Sequence, residues 1–318
     1  MTTTTHTVGI NLDARCNARC AHCCVSSSPQ SELRLDDDHV DAILDDLLAQ
    51  DDVTEISFTG GEPFLRRERL LELLTRVHRA GRRATCVTNG FWGVTPRAAD
   101  ALLARLEEVG LRDLTLSWDE FHSPHVPAQR IRNVLDAARD RRVRVALNVC
   151  VSRTRTSDAL LTSLGDSVHG IAVTKFPVVP AGEARSLPDD EFLRRPVGQG
   201  SLWCPGLQVI YHHDGSVYPC CSPPIFDTDM TLGGVEQGFR EVVDKIERNA
   251  LLGILQREGL RWFVDEIRAV DPTAAAATAT EVVSACELCS LVLRDTAALE
   301  MIRPRITTYW EEKQRGSF

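Results

Sequence analysis

VGINLDARCNARCAHC, residues 8–23, and VTEISFTGGEP, residues 53–63, together decide the fold. Each opens on a short β-branched and apolar run of strand length, then breaks into a loop rich in reactive or flexible residues. The first loop carries Cys16, Cys20 and Cys23 in CxxxCxxC spacing, and the second carries Gly60, Gly61, Glu62 and Pro63. The same rhythm runs outward from these two, at a period of roughly thirty residues. Strands are expected at Val8–Leu12, Val53–Thr59, Ala84–Thr88, Asp113–Trp118, Val143–Val151 and Ile171–Phe176. Between them, Val40, Ile43, Leu44, Leu47 and Leu48 share one helical face, as do Leu70, Leu73, Leu74 and Val77, and Ile131, Val134, Leu135 and Ala138. Thr95 before Pro96 reads as an N-cap with proline in the first helical turn. Six βα units form an α/β fold, a partial (β/α)6 barrel with a cleft on its open side. In such sheets reactive groups gather just after the strands, which here means the cysteine loop, GGEP, Asn89-Gly90 and Asp119-Glu120-Phe121-His122.

The rhythm stops after Pro180. The barrel is therefore expected to occupy residues 1–199, and a smaller module, starting near Gly200, residues 200–318. Helical sequence is expected over 235–269, and the alanine-rich DPTAAAATAT at 271–280 reads as a loop or frayed helix of little functional content.

The chain of 318 residues is 43% hydrophobic and 25% charged, a globular composition that excludes a disordered chain or a fibre. Thirty-six Lys and Arg against 45 Asp and Glu give a net charge of −9, so nucleic acid and anionic membrane are not expected partners. MTTTTHTVGINLD has neither the basic flank nor the apolar core of a signal peptide, and no apolar run reaches the roughly 18 residues of a membrane span. A cytoplasmic location is expected, where eleven cysteines point to metal ligation or catalysis rather than to disulfides.

Three thiolates on one short loop can ligate three irons of a [4Fe–4S] cluster and leave the fourth iron open to a substrate. Zinc, with His22 as fourth ligand, is the alternative, although an imidazole one residue from Cys23 is cramped. Cys204, Cys220, Cys286 and Cys289 offer four more thiolates, enough for a fully ligated second cluster or for a structural zinc. Four cysteines are left over. Cys86 and Cys150 lie inside strands and read as small buried hydrophobes, and Cys24 has no assigned role. Cys221, in the proline-bracketed YPCCSPP, is the spare thiol placed to meet a substrate.

CxxxCxxC after the first strand and GGEP after the second resemble the radical S-adenosylmethionine (SAM) superfamily. The resemblance implies that the open iron chelates SAM and that an electron from the cluster cleaves it to methionine and a 5′-deoxyadenosyl radical. Gly60 and Gly61 would let backbone approach that ligand, Glu62 would accept from its ammonium, and Ser117 and Asn148 are candidates for its carboxylate and ribose. GGEP also reads as a plain strand-to-helix turn, Ser117 and Asn148 as inward barrel packing, and Asp119, Glu120 and His122 either as lining the same rim or as a solvated loop. The later cysteines resemble a SPASM or twitch module with an auxiliary [4Fe–4S] cluster.

INLDARCNARCAHCCVSSSP, ISFTGGEPF, TNGFWG, GDSVHGIAVTKFP and CPGLQVIYHHDGSVYPCCSPPIFDT narrow the resemblance to the radical SAM peptide epimerases that mature epipeptides. It implies hydrogen abstraction from Cα of L-residues, Val or Ile, in a ribosomally made precursor peptide, and return of hydrogen to the opposite face by Cys221. It also implies an external electron donor of the flavodoxin or ferredoxin type. Gln208 departs from the family, which carries an acidic residue four positions after the first CPG cysteine. Fifteen residues precede Cys16, fewer than a winged-helix leader-binding domain needs, so the substrate is expected to be gripped in the barrel cleft. A radical SAM cross-linking maturase and a zinc-stabilised binding protein are the competing readings.

Overall fold

A computed structural model describes residues 5–199 and 202–315. The expected module boundary near Gly200 lies outside them. Six parallel strands run in chain order: β1 (His6–Asn11), β2 (Val53–Thr59), β3 (Arg83–Thr88), β4 (Asp113–Ser117), β5 (Arg144–Val151) and β6 (Ala172–Pro177). They match the six expected strands to within two residues at either end. Helices α1 (Asp37–Leu48), α2 (Arg67–Arg79), α3 (Pro96–Glu108), α4 (Ala128–Ala138) and α5 (Asp158–Ser163) cross between them. Asp36 caps α1 by accepting from His39 N at 2.8 Å, and Thr95 Oγ1 caps α3 by accepting from Ala98 N at 3.1 Å. The apolar faces read from the sequence, Ile43, Leu44 and Leu47 on α1 and Leu70, Leu73 and Leu74 on α2, are buried against the sheet.

Beyond β6 the chain forms a two-residue strand, β7 (Arg195–Pro196), then returns to the first edge of the barrel. There β8 (Ile210–Tyr211) lies parallel to β1, with Gly9 opposite Ile210, and β9 (Ser216–Tyr218) and β10 (Gly233–Gly234) extend the sheet antiparallel. The nine-stranded order is β10-β9-β8-β1-β2-β3-β4-β5-β6. One end of the partial barrel is thus covered by the return hairpin, whereas β6 has an unpaired outer edge among the described residues.

The expected helical stretch 235–269 is three helices, α6 (Phe239–Arg248), α7 (Ala250–Glu258) and α8 (Leu260–Val270). Asn249 divides the first two by capping α7 through Leu252 N at 3.0 Å, and Gly259, at φ +72°, divides the second pair. The alanine-rich stretch is not idle, as α9 (Ala275–Thr278) buries Ala276 and Ala277 in a second core with Phe263, Ile267, Leu288 and Ile302. Its small side chains admit close approach of α8 and of α10 (Ala285–Arg294). β11 (Glu281–Val282) pairs with β7, and α11 (Thr296–Arg315) closes the chain. Among the described residues no helix is long and apolar enough to cross a membrane.

Phe58, fully buried on β2, fills the layer between sheet and helices. Phe58→Ala is expected to lower unfolding free energy by about 3–5 kcal/mol, read from denaturant midpoints.

Candidate functional site

The loops after β1 to β6 converge on a cavity of about 460 Å3 at the carboxyl ends of the strands. Cys16, Cys20 and Cys23 line it together with Gly60, Gly61, Ser117 and Asn148. All seven therefore meet in one place. The loop that carries the cysteines is held from below by segment 28–34: Cys16 N donates to Ser28 O at 3.1 Å and Ala14 N to Leu33 O at 2.9 Å.

Cys16 and Cys20 are buried, and burial pushes both thiols up, Cys16 to about 12. Three N–H groups nevertheless point at sulfur. Ala18 N lies 3.4 Å and Asn89 Nδ2 3.7 Å from Cys16 Sγ, and Ser27 N lies 3.2 Å from Cys23 Sγ. Such donors stabilise sulfur carrying negative charge and tune an iron–sulfur centre, so these residues fit a cluster with three cysteine ligands.

Gly60 and Gly61 serve the loop as much as a ligand. Gly61 N donates to Asp13 O at 2.6 Å and Glu62 N to Arg15 O at 2.9 Å, so the two loops lie backbone against backbone. A Cβ on Gly61 would stand 2.2 Å from Arg15 O, and one on Gly60, at φ +149°, 2.6 Å from Asp13 O. The Glu62 carboxyl is fully buried and turns into the protein. It accepts from Thr88 Oγ1 and Asn89 N, both at 2.8 Å, and from Phe64 N at 3.1 Å, tying the end of β2 to the end of β3. Burial outweighs these bonds and raises its pKa from 4.5 to about 7.

Sequence reasoning misses Thr88 and the side chain of Asn89 as partners of Glu62 and Cys16, though TNG at the end of β3 is the signal that could find them. Of the two readings of this loop, Asp119 and His122 take the place on the cavity wall rather than in solvent, and Asp119 is buried and gathers backbone and side-chain donors. Its Oδ1 accepts from Phe121 N at 2.9 Å and His122 N at 3.1 Å and lies 2.9 Å from His122 Nδ1, and Oδ2 accepts from Cys150 N at 3.0 Å. Burial alone would raise its pKa, but the His122 hydrogen bond and charge outweigh this and hold it low. His22 Nε2 stands 3.5 Å from Asp119 Oδ2, its ring stacks on Phe121 at 4.6 Å, and burial lowers its pKa to about 4. Its Nδ1 is buried without a partner beside the cavity. Cys150, expected as a buried hydrophobe, is half-buried and lines the same wall.

A second cavity, of about 270 Å3, is lined by Cys204, Cys220, Cys286 and Cys289, and also by Cys221. Its remaining walls are mostly apolar, with Leu252, Leu255, Leu260 and Leu293 among them. Four thiols in such a chamber fit a second cluster, whose ligand sulfurs stand farther apart than those around a single ion. All eleven cysteines are free, and Cys221 is the exposed one. Ser222, Pro223 and Cys286 line both cavities, forming a septum between them. Cys221 lies on the second-cavity side of that septum, one residue from the barrel cavity wall.

Residues 10–162 match the radical SAM superfamily. Over 311 residues, covering 96% of this chain and 98% of the relative, the sequence is 35% identical to YydG of Bacillus subtilis (strain 168), a protein named for peptide biosynthesis. A shorter likeness, 32% over 130 residues, covers 40% of this chain and 31% of Fe-coproporphyrin III synthase of Methanosarcina barkeri (strain Fusaro / DSM 804). In architecture the chain is similar to the crystal structure of BtrN in complex with AdoMet and 2-DOIA. The TM-score is 0.52 at 19% identity, covering 82% of this chain and 91% of that one.

Gly61→Ala is expected to push the cysteine loop off its seat, lowering iron bound per chain severalfold after anaerobic reconstitution, with iron and sulfide assay as the readout. Because Glu62 binds its proton more tightly folded than at its ordinary value of 4.5, its contribution to stability is full below pH 4.5 and is lost as pH rises through about 7. Glu62→Gln should flatten that slope in unfolding free energy measured across this range.

Proposed function

Because the chain belongs to the radical SAM superfamily, whose members use a [4Fe–4S] cluster and SAM, we propose that it is a peptide maturase that inverts L-residues of a ribosomally made precursor, Val or Ile, to D-residues. The relationship to YydG over nearly the full length supports a peptide as substrate. Cys16, Cys20 and Cys23 would hold the first cluster, and Gly60, Gly61, Ser117 and Asn148 would hold SAM, while the buried Glu62 fixes the glycine turn from behind. Cys204, Cys220, Cys286 and Cys289 would hold a second [4Fe–4S] cluster. Bound there, the first cluster and SAM supply one-electron cleavage chemistry able to remove a hydrogen atom from an unactivated C–H bond.

The observation that carries the reading is the place of Cys221, an exposed thiol beyond the four that suffice for a cluster, next in the chain to Ser222 and Pro223, which wall the barrel cavity. A Cα radical between amide N and C=O is planar, so its final configuration follows from the face that receives hydrogen. Return from the abstracting side restores the L form, and return from a thiol on the other side gives the D form. The S–H bond breaks as Cα–H forms. The sulfur then takes one electron, drawn from an external flavodoxin- or ferredoxin-type donor, and one proton from water to become a thiol again.

The free edge of β6 suits an extended peptide. Val178 N bonds Val151 O at 2.9 Å, so alternation along the strand turns the N–H and C=O of Val173 and Lys175 away from β5. On the inner face Phe176 lines the barrel cavity. A peptide paired along this edge would be held by its backbone and led to the cavity mouth.

In deuterated water the wild type is expected to place one deuterium at each inverted Cα with no other mass change. Cys221→Ala should abolish D-residues, scored by chiral amino-acid analysis, while 5′-deoxyadenosine still forms. D-residues made at the wild-type level by this variant would remove the thiol from the role. A product lighter by two hydrogens would favour cross-linking, and a colourless protein with zinc and no iron would favour a binding protein.

A further inference from the structure

We infer that the strap Gly182–Ser186, clamped to Asp227, is a positioning device that sets how Cys221 addresses the barrel cavity. The inference rests on the epimerase reading above. The strap lies between the two cysteine-bearing loops and bonds both. On one side Glu183 N donates to Cys23 O at 2.9 Å. On the other, Gly182 N donates to Asp227 Oδ2 at 3.3 Å, and Arg185 Nη2 pairs with the same oxygen at 2.5 Å.

The fit against the first loop is tight. Gly182 has φ +55°, and a Cβ there would stand 2.5 Å from Cys23 O and 2.7 Å from Cys24 O, so only glycine lets the strap seat. Ala181 and Ala184 are fully buried, and Ala184 packs in a cluster with Cys16, Cys20, Phe192 and Val283, which fixes the strap to the barrel side. Asp227 ends the 3-10 turn Pro223–Asp227, which starts two residues after Cys221. Pro223 and Pro224 stiffen that turn and line the barrel cavity. A rigid link therefore runs from the Cys23 carbonyl through the strap and Asp227 to the donor thiol. Hydrogen transfer needs S–H close to and in line with the Cα radical, so slack in this link costs inversion without costing abstraction.

The test compares Asp227→Ala, which removes both contacts of the carboxylate, with Arg185→Ala, which removes the ion pair alone, and Asp227→Asn, which keeps an acceptor for Gly182 N. In reconstituted enzyme with peptide, 5′-deoxyadenosine formed per D-residue is expected to rise on the order of tenfold in Asp227→Ala, as misalignment of a reacting pair predicts. Deoxyadenosine rate and iron content should stay at wild-type levels, and Asp227→Asn should recover most of the coupling. Hydrogen–deuterium exchange should speed up together in 182–186 and 221–227. An unchanged ratio in an iron-replete Asp227→Ala overturns the inference, as does a fall of both products in step with iron content or thermal stability. If Asp227→Ala fails to fold, an unchanged ratio and unchanged exchange in Arg185→Ala overturns it equally. A wild type that makes no D-residue sinks the epimerase reading itself, whereas wild-type inversion with unmoved variants sinks the strap alone.

Discussion

Two backbone hydrogen bonds, Gly61 N to Asp13 O and Glu62 N to Arg15 O, seat the cysteine loop on the turn after β2. Contact this close is possible only where neither residue 60 nor 61 carries a side chain. With the loop so seated, Cys16 meets Asn89 from the end of β3, and the barrel cavity gains its floor. Glu62 closes the arrangement from beneath, since its carboxylate reaches the next strand end while its own N–H holds the loop. One tetrapeptide thus aligns three successive strand ends.

Buried carboxylates recur elsewhere in the same role. Asp119 ties β4 to β5 through Cys150 N and holds the His122 and His22 rings at the cavity wall. Glu287, between the last two cysteines, accepts from Val283 N at 2.6 Å and pairs with Arg194 at 3.2 Å, joining α10 to the segment before β7. Each is nearly enclosed yet supplied with donors, the condition under which a buried charge orders its surroundings instead of loosening them. The sites of chemistry are carried on loops, and these ties give the loops the stiffness of regular structure.

The strands, the crossing helices and the convergence of the cysteine loop with GGEP are legible because period and spacing are local properties of the chain. Thr95-Pro96 announces its helix for the same reason, and the cap is observed. What the sequence conceals depends on tertiary contact. Asp119 and His122 look like a solvated loop because nothing nearby in sequence shows that His22 and Cys150 will close over them. The alanine stretch looks empty because small residues reveal their worth only when two helices press on them. Glu62 is legible as a special residue, whereas its turn inward to Thr88 and Asn89 is not. The return of 209–218 to the edge of β1 is hidden too, since strands of two and three residues leave almost no periodic trace.

The free edge of β6 has a second consequence, for the company the protein keeps with itself. An unpaired strand is a template on which another copy can grow a sheet, and aggregation through such edges is what natural proteins guard against. Here Lys175 puts a charged side chain on the strand, anchored by Asp158 at 2.5 Å and by Thr156 O at 3.0 Å. Two residues on, Pro177 removes the next outward N–H. A flexible visitor can bend around both obstacles, while a rigid sheet edge cannot, so the same strand can stay open to a peptide and closed to its twin.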